Sequence, residues 1–157
     1  MVQMRGQGAT EYLVLLAVVL IIALVSIALL GFFPGLASDA KITQSASYWK
    51  SARPFSIVEA SVKSNGSAFI VLQNVEATGT YVLGNITLVQ PNGSIVTVSP
   101  TTTFASGETK SIYIPDPQGM SGAAGTLYDL GVVIHYTSAN GINATQTGSK
   151  NLVGKYS

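Results

Sequence analysis

Three features of this 157-residue sequence predict an α+β chain: a long N-terminal hydrophobic helix followed by an all-β immunoglobulin-like sandwich head. One unbroken apolar run occupies the first part. Short Val-, Ile-, Thr- and Tyr-rich segments between turn residues occupy the rest. The third feature is Asn-Gly and Pro punctuation at the spacing of a β-sandwich.

The apolar run is YLVLLAVVLIIALVSIALLGFF, Tyr12 to Phe33, with Ser26 its one conspicuously polar side chain. About 20 such residues cross the hydrocarbon core of a bilayer as a helix. The run is apolar on every side, so lipid or protein must surround it completely. It is longer than the apolar part of a secretory signal peptide, although GLAS after Pro34 has the look of a cleavage site. Arg5 is the only charge ahead of Glu11, which predicts a cytoplasmic N-terminus and an exported β-rich remainder. GFFPG, with Pro34 inside it, reads as the helix exit and not as a packing motif. The segment LASDAKITQSASYWK then reads as a connector with a second helical stretch, in which Tyr48 and Trp49 pack under the head or sit at the membrane interface.

From Phe55 the expected strands are FSIVEASVK, AFIVLQNV, TYVLGNITLVQ, SIVTVS, TKSIYIP, LYDLGVVIHYTS and one within NATQTGSKNLVGK. In the third, Val82, Ile86 and Leu88 are expected on one face, with Asn85 and Thr87 on the other. VQPNGSIV reads as a hairpin with Asn92-Gly93 in a type I′ turn. Four N-x-[ST] sequons begin at Asn65, Asn85, Asn92 and Asn143, candidate N-glycosylation positions on an exported protein.

Composition excludes several classes of function. The chain lacks Cys, so disulfides, thiolate metal sites and Cys nucleophiles are ruled out. A net charge of +1, with only 10% charged residues, leaves no basic patch for nucleic acid. No catalytic constellation, metal cluster or cofactor motif is visible. His135, the sole histidine, reads as structural, Asp116 as a turn residue between prolines, and Asp129 as the opening of a strand.

The residues ahead of the run carry a resemblance. RGQGATEYLVL resembles the leader of type IV pilin-like proteins, and more narrowly the class III signal peptide of archaeal pilins, with Gln7 at the new N-terminus, Glu11 fifth and Leu15 ninth. The resemblance covers about the first thirty residues. It implies cleavage between Gly6 and Gln7 by a prepilin peptidase, retention of the apolar helix, and assembly with copies of itself by a membrane-embedded pilus machine. Glu11 would then be buried among neighbouring helices, where it needs a partner or a proton, and would set the axial register of one subunit against the next.

The domain plan expected is a leader over residues 1–6, a hydrophobic helix over 7–33, a connector over 34–53 and the sandwich head over 54–157. The function expected is that of a non-enzymatic filament subunit, stored in the cytoplasmic membrane and then displayed at the cell surface in an adhesive role. Rival readings are an archaellin, a bacterial tight-adherence pilin and a membrane-anchored binding module. Glu11 also has a blander reading, an acid favoured near a helix N-terminus with Thr10 as its cap.

Overall fold

The computed structural model describes residues 5–115 and 120–157, apart from the side chains of residues 5–7 and 32–34. The turn expected at Asp116 lies outside these residues. The chain divides into two compact units, Met1–Ala40 and Lys41–Ser157, and one helix, α1 (Arg5–Ser51), contributes residues to both.

α1 is continuous through position 34, which corrects the expected exit at GFFPG. Proline removes a single backbone donor. Here the sequence on each side has its own reason to be helical. An apolar run precedes it, and the segment that follows buries Ser45 and Trp49. The connector is therefore helical up to Ser51, and the head boundary expected at residue 54 falls inside the second unit.

Among the described residues nine strands follow: β1 (Phe55–Val62), β2 (Ala68–Asn74), β3 (Tyr81–Val89), β4 (Ile95–Val98), β5 (Thr102–Phe104), β6 (Thr109–Ile114), β7 (Leu127–Thr137), β8 (Asn143–Thr147) and β9 (Leu152–Lys155). They form two antiparallel sheets. The smaller has the order β1-β2-β6. In the larger, β3 and β7 are central, and each serves two short strands along its outer side. β5 and β4 divide the length of β3, and β9 and β8 divide that of β7.

Alternation of side chains builds the core between the sheets. β2 turns Ala68, Ile70, Leu72 and Asn74 inward, and β7 turns in Tyr128, Leu130, Val132 and Ile134. Among the described residues two bulges change the phase of their strands. At Val58 the inward set passes from Ile57 to Ala60 and Val62, and at Gly84 from Leu83 to Ile86 and Leu88. Leu83, fully buried, thus takes the place expected of Val82. Gly84 suits the second bulge because a Cβ there would stand 3.2 Å from the His135 carbonyl oxygen. At one end of the core Phe55 meets Tyr81, Phe104 and Tyr136 edge-on.

The end of α1 belongs to this core. Trp49 is fully buried, and its ring lies so close over Gly148 that a Cβ there would come within 2.3 Å of it. The Ser149 backbone N–H donates to the Tyr48 hydroxyl at 3.0 Å. Ser45 Oγ donates to the Asn151 carbonyl at 2.8 Å and accepts the Val153 N–H at 2.9 Å, covering the unpaired edge of β9 as a strand would. Gln146 does the same for β1. Its Oε1 accepts the Phe55 N–H at 3.0 Å and its Nε2 donates to the Phe55 carbonyl at 2.7 Å. Exposed strand edges invite pairing with other chains, and these side chains occupy them.

Candidate functional site

Every large apolar side chain described between Tyr12 and Leu30 is exposed, from 43% at Leu16 to 72% at Leu30. The span from Tyr12 to Phe33 rises about 33 Å as a helix, enough for a hydrocarbon core about 30 Å thick. Its polar exception is provided for: Ser26 Oγ donates to the Ile22 carbonyl, 2.7 Å away and one turn back. An exposed helix with no polar face can rest only in lipid or among other apolar surfaces.

Glu11 is exposed at the head of this stretch, and Leu15, one turn on, is 66% exposed. Position 15 therefore belongs to the same unpartnered surface. No cation among the described side chains pairs with Glu11. α1 already begins at Arg5, so Thr10 lies within the helix and not at its cap, and the first turn carries no acid. The macrodipole acts mainly within the first turn, so it is a weak reason for a carboxylate at position 11. Gly6 and Gln7 are helical in backbone, and the Gln7 side chain lies outside the described residues.

The sequons occupy three kinds of position. Asn65 and Asn92 are exposed in the β1–β2 and β3–β4 turns, and Asn143 is exposed at the start of β8. Asn85 is half-buried beside the Gly84 bulge, and its Oδ1 is shielded from solvent without a hydrogen-bond partner among the described residues. The turn at Asn92 corrects the expected type I′ form. Pro91 and Asn92 are its central residues, Gly93 N–H donates to the Gln90 carbonyl at 2.9 Å, and only Gly93 has a positive φ, of 85°. That is a type I turn followed by a left-handed glycine. A type I′ turn centred on Asn92-Gly93 needs a positive φ at both residues, and Asn92 has a negative one.

The lone histidine is exposed on the outer face of the larger sheet, where Nδ1 of His135 lies 2.9 Å from Thr145 Oγ1. Asp129, the third residue of β7, accepts a hydrogen bond from Asn151 Nδ2 at 2.6 Å. Among the described residues no group of three His, Asp or Glu side chains is placed to hold a metal ion. Sequence reasoning missed Ser45, Asn74 and Gln146. A buried polar role for each depends on strands far away in the chain and leaves no local pattern.

No protein-family model matches this chain, and no curated protein matches it. Among solved structures, the archaeal flagellum of Methanospirillum hungatei strain JF1 is similar over 92% of this chain and 94% of that one, at 19% sequence identity and a TM-score of 0.39.

Proposed function

We propose that this chain is a structural subunit of a type IV pilin-like surface filament of the archaeal kind, polymerising through α1. One observation carries the reading: an apolar helix exposed all round, headed by a carboxylate, directly after a Gly6-Gln7 pair. A helix made to be surrounded by its own kind needs apolar side chains in every direction. The leader up to Gly6 is removed by a prepilin peptidase, the helix waits in the cytoplasmic membrane, and an assembly machine moves it into the filament core. The head forms the outer layer, with sugar on the exposed sequon asparagines Asn65, Asn92 and Asn143, in a filament that serves adhesion.

A membrane-anchored extracellular binding module is the second reading, because lipid would also cover the helix. Glu11 separates the two. In a plain anchor, Glu11→Gln removes a carboxylate from the edge of the lipid and leaves function intact. In a filament it removes one side of a buried charge-assisted contact, a loss of about 3–5 kcal/mol per subunit. The test is electron microscopy of cells making Glu11→Gln protein, with N-terminal sequencing to establish that the mature chain begins at Gln7. We expect cut, folded subunits and no filaments. Correctly cut Glu11→Gln protein that assembles at the normal rate overturns the register role.

A further inference from the structure

Three hairpin loops of the head share one backbone. They are Lys63-Ser64-Asn65-Gly66-Ser67, Gln90-Pro91-Asn92-Gly93-Ser94 and Ser138-Ala139-Asn140-Gly141-Ile142. In each, the first residue's N–H donates to the carbonyl of the fifth, at 2.8, 2.9 and 2.8 Å. In each, the glycine N–H donates to the carbonyl of the first at 2.9 Å, with the glycine at a positive φ of 91°, 85° and 79°. All three asparagines are exposed. They differ in what holds the asparagine side chain. Asn65 Oδ1 accepts both the Ser67 N–H at 3.0 Å and the Ser67 hydroxyl at 2.8 Å. Asn92 Oδ1 accepts the Ser94 N–H at 2.9 Å. In the third loop the equivalent N–H, that of Ile142, donates instead to Ser138 Oγ at 3.3 Å, and the Asn140 side chain makes no hydrogen bond among the described residues.

We propose that Asn140 is a site of spontaneous modification, where the asparagine closes onto the Gly141 nitrogen and becomes an aspartyl or isoaspartyl residue, while the same chemistry at Asn65 and Asn92 is restrained by their side-chain hydrogen bonds. Base takes the proton from the Gly141 amide, and that nitrogen attacks Cγ of Asn140. The new N–C bond closes a five-membered imide as the bond from Cγ to the amide nitrogen breaks, and that nitrogen leaves as ammonia, taking up a proton. Water then adds to one of the two imide carbonyls and opens the ring. Glycine after the asparagine permits this attack because it carries no side chain to obstruct it. The carboxylate formed brings the chain's net charge from +1 to zero. The isoaspartyl product lengthens the backbone within the turn that Gly141 closes onto Ser138.

The rate-limiting closure requires the asparagine carboxamide to swing free. The glycine amide is engaged alike in all three loops, so that restraint cancels in comparison. A typical hydrogen bond slows release of the side chain about two- to tenfold. The expected order is therefore Asn140 fastest, Asn92 slower and Asn65, with two bonds, slowest.

The test uses the full chain in detergent, produced in a host without N-glycosylation and held at mildly alkaline pH. Peptide mass mapping follows the replacement of NH2 by OH at each position, and the same chain in denaturant gives the rates without the fold. After division by the denatured rates, Asn140 should lead Asn92 by about two- to tenfold, and Asn65 by more. Ser138→Ala releases the Ile142 N–H to hold Asn140 Oδ1, and should slow position 140 by a similar factor while leaving position 92 unchanged. The proposal is overturned if Asn92 or Asn65 converts as fast as Asn140 in the folded chain. A folded Ser138→Ala protein that converts at the wild-type rate overturns the assignment of Ser138 as the competing acceptor.

Discussion

Cutting the chain just ahead of the head boundary read from sequence should undo the head. A fragment beginning at Arg53 loses Trp49 and Ala52 from the core, both Ser45 hydrogen bonds to β9 and the Tyr48 contact with Ser149. Truncating a buried Trp to Ala alone costs about 3–5 kcal/mol. Three lost hydrogen bonds at about 1 kcal/mol each raise the total to roughly 6–8 kcal/mol. The Trp49 indole N–H is buried with no partner among the described residues, and losing that donor returns about 1–3 kcal/mol. The net loss of roughly 3–7 kcal/mol is comparable with the whole stability of a domain, about 5–15 kcal/mol. Urea unfolding of residues 41–157 against residues 53–157, followed by circular dichroism, measures it. Trp49 is the only tryptophan, so its emission reports separately on the longer fragment. Equal midpoints for the two fragments would show that the helix end is not part of the core.

Gly148→Ala should destabilise the head by about 1–3 kcal/mol through overpacking, because its Cβ would stand 2.3 Å from the Trp49 ring. In a Trp49→Ala background that cost should largely vanish, which a double-mutant cycle reads directly. Burial, and next the neighbouring Tyr156, raise the Tyr128 phenol above its ordinary value of 10.0. With the folded pKa raised, its contribution to stability is complete below pH 10 and is lost as pH rises through the folded value. Tyr128→Phe should flatten that alkaline decline in a melting series, and an unchanged slope would refute the assignment.

Periodicity made the helix and most of the strands legible, because each is an alternation of side chains within one short segment. What escaped depends on partners elsewhere. β5 has three residues and is a strand only because β3 lies beside it. The bulge at Gly84 puts Leu83 in the core in place of Val82, a shift of phase that a strict alternation cannot reveal. Nor does composition show that Pro34 is carried within a helix, or that the helix ends in the head's own core. Of the candidate site, the apolar surface and the position of Glu11 were both readable from hydropathy and spacing. The hydrogen bonds that distinguish one Asn-Gly loop from another were not.

The side chains that cover the sheet edges have a consequence for the time course of folding. Gln146 reaches Phe55 across 91 residues of sequence, and Ser45 reaches Asn151 and Val153 across 106 and 108. Contacts between such remote residues form late, because the closure entropy of long loops has to be overcome first. The edges of β1 and β9 therefore stay open in the partly folded chain until β8 is in place and the end of α1 has docked. During that interval another copy can supply the missing strand. The period of greatest risk falls between synthesis of β9 and the seating of Trp49.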